Sequence, residues 1–159
     1  MNQILRFSIA VLAALSLAAC ESGVTQAGAV TKVASTTSFG MCAGYCKTTL
    51  EITPTQAVLT REGWGRGAGA NLPLQRLTAP LSAQEWQDIA SAAQAAKIDG
   101  LPETIGCPDC ADGGAESLTI VGAKGTKTIK FDHGAAIAEA QPLLDRVRAL
   151  RTRMLPKEQ

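Results

Sequence analysis

The sequence predicts an α+β domain: a four-stranded, largely antiparallel sheet of two hairpins with two helices on one face, in the order ββαββα. Two stretches of alternating apolar and polar residues, each interrupted by a turn signal, predict the hairpins. After each comes a stretch whose apolar residues recur at helical spacing. A sheet and helices that are apolar on one side must bury those sides against each other, which gives the layered arrangement.

The folded part is expected to begin near Phe39. Its first strand is Lys47-Thr48-Thr49-Leu50-Glu51-Ile52, with Leu50 and Ile52 on one face. Thr53-Pro54-Thr55-Gln56 supplies the turn, Pro54 presetting its backbone angle, and Ala57-Val58-Leu59-Thr60-Arg61 returns. Ser82-Ala83-Gln84-Glu85 fits a capping box, so a helix starts at Ser82. Trp86, Ile89, Ala90 and Ala93 form its core stripe, and Asp99-Gly100-Leu101-Pro102 marks its stop. The second hairpin pairs 117–121 with 126–131 across Gly122-Ala123-Lys124-Gly125, its core face being Leu118, Ile120, Ile129 and Phe131. The last helix runs from Ala135 or Pro142 to Met154 and buries Ile137, Leu143, Leu144, Val147, Leu150 and Met154. The two halves are alike in layout, with no internal repeat in the residues themselves.

Upstream, Asn2, Gln3 and Arg6 form a polar start, Phe7 to Leu17 an apolar run, and Leu17-Ala18-Ala19-Cys20 a small-residue ending. The run is about a dozen residues, short of the roughly 20 that span a bilayer, and no basic stop-transfer cluster comes after it. It reads as an export signal over residues 1–19. Small and polar residues dominate the stretch from Glu21 to Ser38, so 20–37 is expected to be a flexible tether and 38–159 the single domain. Without residues 1–19 the chain has 14 basic and 14 acidic residues, a balance that gives no electrostatic pull towards nucleic acid.

Leu17-Ala18-Ala19-Cys20 resembles a bacterial lipobox. The resemblance implies that residues 1–19 are removed and that Cys20 carries a diacylglycerol and an N-acyl chain, more than the single chain that binds only marginally. Glu21 stands after the cysteine where Asp would favour inner-membrane retention, so the sorting rule of such lipoproteins implies an outer-membrane anchor facing the periplasm.

Four cysteines remain once Cys20 is set aside: Cys42, Cys46, Cys107 and Cys110. An oxidising compartment favours two disulfides, for which three pairings exist; the local ones, Cys42 with Cys46 and Cys107 with Cys110, close without long-range help. The alternatives are a tetrahedral zinc site from all four thiolates, or thiol-disulfide exchange at Cys107-Pro108-Asp109-Cys110. Exported thiols are oxidised before they meet zinc, and Asp109 and Asp112 disfavour the thiolate that exchange needs.

Asp109, Asp112 and Glu116 lack the spacing of a calcium loop, and Asp112-Gly113-Gly114 reads as a turn. His133 is the sole histidine and has no nucleophile motif to serve, so no catalytic set is indicated. Arg146, Arg148, Arg151 and Arg153 fall on different sides of the last helix, and read as surface cations that offset its dipole. The loop 63–69 alternates glycine with Trp64, Arg66 and Ala68. It lacks a phosphate-loop ending, and Trp64 and Arg66 are the candidate contact surface because such residues dominate binding hot spots.

Ser38-Phe39-Gly40-Met41-Cys42-Ala43-Gly44-Tyr45-Cys46-Lys47 resembles the opening of an uncharacterised bacterial domain family with Cys-aromatic-Gly-x-Cys-Pro before a strand. Cys42, Gly44 and Cys46 match, while Ala43 replaces the aromatic residue and Lys47 the proline. The resemblance extends in layout to Met154 and implies a fold without an assigned activity. The expectation is therefore a non-enzymatic envelope lipoprotein that binds an unknown envelope protein or ligand, with a metal-binding or redox module as the alternative.

Overall fold

The computed structural model describes residues 29–63 and 72–157. Its elements are β1 (Val30–Ser38), β2 (Tyr45–Ile52), β3 (Gln56–Gly63), β4 (Gln75–Pro80), α1 (Ala83–Ala95), β5 (Thr104–Ile105), β6 (Ala115–Gly122), β7 (Gly125–Asp132) and α2 (Gln141–Met154). The strands form one seven-stranded sheet in the order β4-β3-β2-β1-β6-β7-β5. The pair β5 and β7 is parallel and every other pair antiparallel, so the sheet is mixed.

This corrects the expected four-stranded sheet of order ββαββα. Both hairpins and both helices are present, but the expectation lacked three strands. The most consequential is β1, which begins inside the segment 20–37 expected to be a tether and is the central strand that joins the hairpins. It pairs with β2 from Val33↔Ile52 to Ser38↔Lys47 and with β6 from Val30↔Gly122 to Ser38↔Ala115. Its inward positions are Val33, Ser35 and Thr37, all buried, so small polar side chains occupy what would otherwise be a readable apolar face. The edge strand β4 has only Leu77 as a large apolar residue and ends on Pro80, which an edge tolerates. Two-residue β5 forms the other edge, and the Glu103 carbonyl accepts a backbone bond of 2.8 Å from Lys130 N.

Alternation sorts the sheet into two faces. One carries Val33, Leu50, Ile52, Ala57, Leu59, Leu118, Ile129 and Phe131, all fully buried, and meets both helices in a single core. From α1 come Ile89 and Ala93, with Trp86 and Ala90 partly buried; from α2 come Leu143, Leu144, Val147 and Leu150. The opposite face carries Thr36, Thr49, Thr60, Ser117, Thr119 and Thr128, all at least partly exposed, with Val58 as its buried apolar residue.

The capping box forms: Ser82 Oγ accepts from Glu85 N at 3.2 Å, and Glu85 Oε2 accepts from Ser82 N at 3.0 Å. Before α2, Ala138–Ala140 makes one tight 3₁₀ turn, and Pro142 then occupies the first turn of the α-helix, where its missing N–H costs nothing. The segments holding Cys20, Trp64 and Arg66 lie outside the described residues.

Candidate functional site at the cysteine end of the sheet

Strand direction gathers the chemically distinctive residues at one end. There β1, β3 and β7 finish while β2, β4 and β6 begin, with the pairs Tyr45↔Gly63, Ser38↔Lys47 and Ala115↔Asp132 close to that margin. Both cysteine pairs are here. Cys42 and Cys46 stand at disulfide distance across the β1–β2 connection, as do Cys107 and Cys110 between β5 and β6, each with Cα atoms 5.5 Å apart. The two local pairings are thus the ones at bridging distance. Among the described residues no group of three or more histidine, cysteine or acidic side chains converges as a metal site would require.

The two cysteine loops are joined. Gly40 N donates to Asp109 Oδ1 at 3.2 Å, and Phe39 covers Gly114 while meeting the His133 ring edge-on at 4.8 Å between centroids. Gly114 has φ +80° and no room for a Cβ beneath Phe39, so only glycine fits. Cys107 N donates to Asp132 at 3.2 Å, and Asp109 N to the Gly114 carbonyl at 3.0 Å. In the turn at Asp112-Gly113-Gly114, Asp112 is left-handed at φ 57° and Gly114 at φ 80° while Gly113 is not, and nearby the Asp109 carboxylate bonds a backbone donor. His133 is an exposed turn residue tied through its backbone N to Gly114 O.

Across the sheet at the same end, Arg61 stacks over the Tyr45 ring at 4.3 Å and donates to Gln75 Oε1 at 3.1 Å. Tyr45 Oη donates to the Pro73 carbonyl at 3.0 Å. These contacts draw together the two described flanks of residues 64–71. Leu74, 65% exposed, and Met41, 75% exposed, are the exposed large hydrophobic residues among those described, and both lie at this end.

Beneath it, inside the helix-covered face, is a polar cluster that the sequence reading missed. Glu116 is 1% exposed and accepts from Arg148 Nη2 at 2.8 Å, Arg148 Nε at 3.1 Å and Arg151 Nη1 at 3.0 Å. Arg151 Nη2 also donates to Ser35 Oγ, and Arg148 Nη2 to the Ala135 carbonyl at 2.8 Å. Burial by itself raises the Glu116 pKa; the Arg148 hydrogen bonds and the charges of Arg151 and Arg148 outweigh it and hold the carboxyl below its ordinary value. Arg148 and Arg151 are therefore not surface cations, which corrects that reading. The signal was present: Leu144, Val147, Arg148 and Arg151 follow the buried i, i+3, i+4, i+7 stripe. Glu116 likewise occupies an inward position two residues before Leu118. Arg153 instead meets Glu85 at 2.8 Å on the surface.

This cluster is an internal strut. It ties α2 to β1 and β6 below the cysteine end. Outward, this end exposes Met41 and Leu74 together with the polar Asp112 and His133. No protein-family model matches the chain, and the search of curated proteins finds no match.

Proposed function

We propose that the protein is a lipoprotein held in the outer membrane through Cys20 and facing the periplasm, and that it is a non-enzymatic binding module which offers its cysteine end to an envelope protein with a complementary apolar surface. The observation that carries the binding part is the exposure of Met41 and Leu74, 75% and 65%, at one end of the sheet. A single exposed Leu or Met is ordinary on a protein surface. Here both flank braced loops, and Leu74 follows closely in sequence the stretch that holds Trp64 and Arg66.

Chain direction supports the orientation. The described chain enters at Val30, opposite Gly122, at the other end of β1 from Ser38. Nine residues of strand at about 3.3 Å each separate the two ends by roughly 26 Å. Val30 follows Cys20 by ten residues, a reach of at most about 36 Å. The chain thus enters the sheet at the end opposite the cysteine loops, and the ten-residue reach is longer than the strand itself. Two cysteine pairs at disulfide distance fit an oxidising compartment.

Metabolic labelling with palmitate tests the anchor: the wild-type chain incorporates label into envelope material and Cys20→Ser does not. Envelope pull-down tests the contact surface. Met41→Asp with Leu74→Asp is expected to lose the enriched partner, with Lys124→Glu at the opposite end as the control that retains it. Retention by the Met41/Leu74 variant removes this end as the binding surface, whatever the labelling shows.

A further inference from the structure

We infer that the Cys107–Cys110 pair is a redox clasp that sets the conformation of the neighbouring Met41 loop. Three observations lead to it. Access differs between the pairs: Cys107 and Cys110 are both exposed, whereas Cys46 is 1% exposed and Cys42 is half-buried. A thiolate must reach a sulfur to open a disulfide, so the Cys107–Cys110 pair is the one an incoming dithiol meets.

The second observation is the backbone within and just after this pair. Asp109, Ala111 and Asp112 hold φ of 68°, 50° and 57°, three left-handed non-glycine residues within four positions. L-residues adopt that region singly and at a cost, so the loop persists because its surroundings impose it. The covalent closure at Cys107 and Cys110, the Asp132 bond to Cys107 N and the Asp109 N bond to Gly114 O are those constraints. Opening the first frees Asp109, the left-handed residue between the two cysteines, to leave that region.

The third is the link outward. Asp109, the first of the left-handed residues, accepts from Gly40 N, which immediately precedes Met41. Relaxation at Asp109 therefore removes a bond that positions the β1–β2 connection. The regulatory meaning rests on the contact surface proposed above; the clasp itself does not.

The reaction is exchange with a dithiol. Its thiolate attacks one of the two sulfurs, giving a mixed disulfide and releasing the other sulfur, which takes a proton. The second thiol of the reductant then displaces the remaining sulfur, which also takes a proton. The reductant leaves as a disulfide, having supplied both electrons, and Cys107 and Cys110 are left as thiols.

The test titrates the oxidised full chain with dithiothreitol, quenches by alkylation, maps the labelled cysteines and follows amide exchange over residues 40–45. Cys107 and Cys110 are expected to label at about tenfold less reductant than Cys42 and Cys46, with exchange over 40–45 rising in step. Asp109→Ala is expected to raise that exchange with both pairs still oxidised. Labelling of Cys42 and Cys46 first or together with the other pair overturns the inference. So does free thiol at Cys107 and Cys110 before reductant is added, or 40–45 exchange that stays constant while they are reduced. Loss of partner binding plays no part in this readout, so failure of the contact surface and failure of the clasp are separate results.

Discussion

The two faces of the sheet are built from the same strands and do opposite things. On the covered face, leucine, isoleucine, valine and phenylalanine fill the space under α1 and α2, and where the apolar rows stop near the cysteine end the chain buries Glu116 against two arginines. On the open face, the polar groups answer one another across strands. Thr36 and Thr49 oxygens are 3.2 Å apart, those of Thr119 and Thr128 are 2.8 Å apart, and Lys32 meets Glu51 at 3.2 Å. Water is available to replace any partner lost on the open face and is excluded from the covered one. The same kind of substitution should therefore have very different consequences on the two sides.

The largest effect is expected at Phe131, fully buried on β7: Phe131→Ala should destabilise by about 3–5 kcal/mol in urea unfolding, through lost burial and the cavity left behind. Next is Glu116→Gln, which keeps the shape and removes the charge that two guanidiniums share; a loss of about 3 kcal/mol is expected. This variant also sharpens the comparison through pH. Because Glu116 has a folded pKa below its ordinary 4.5, its contribution is present above that value and is lost as pH falls through the lower folded value. Wild-type stability should thus drop on acidification by more than that of Glu116→Gln, measured by unfolding midpoints between neutral and acid pH. A smaller change is expected where the cover is fastened: Ser82→Ala removes the N-cap of α1 and should cost about 1 kcal/mol.

Smallest are changes on the open face. Thr128→Val should shift stability within about 0.5 kcal/mol, and Lys32→Ala by less than about 1 kcal/mol. A loss from Thr128→Val as large as that from Glu116→Gln would mean that the open face is covered by something in solution, and the contrast between the faces would fail.

The contrast also explains which elements were legible. Hairpins whose inward positions are leucine, isoleucine and phenylalanine announce themselves by alternation, as do helices with a capping box or an uninterrupted apolar stripe. Strand β1 did not, because its inward Ser35 and Thr37 lie beside the Glu116 cluster, where a small hydroxyl is useful and a large apolar group is not. Polar residues at buried positions look like a linker until their partners are known. Strand β4 and two-residue β5 were hidden for another reason: an edge strand has one paired side and little apolar area to show.

Local spacing alone determined the two hairpins, the helix start at Ser82 and the stripe of α2, since each depends on residues close together in the chain. Only the tertiary structure decided that residues 30–38 are the central strand, that Arg148 and Arg151 converge on Glu116, and that both cysteine loops share one end with Met41 and Leu74. Those facts join residues up to 116 positions apart, as Ser35 and Arg151 are. Periodicity within a segment reports which side is buried. It carries no information about the segment that will lie against it.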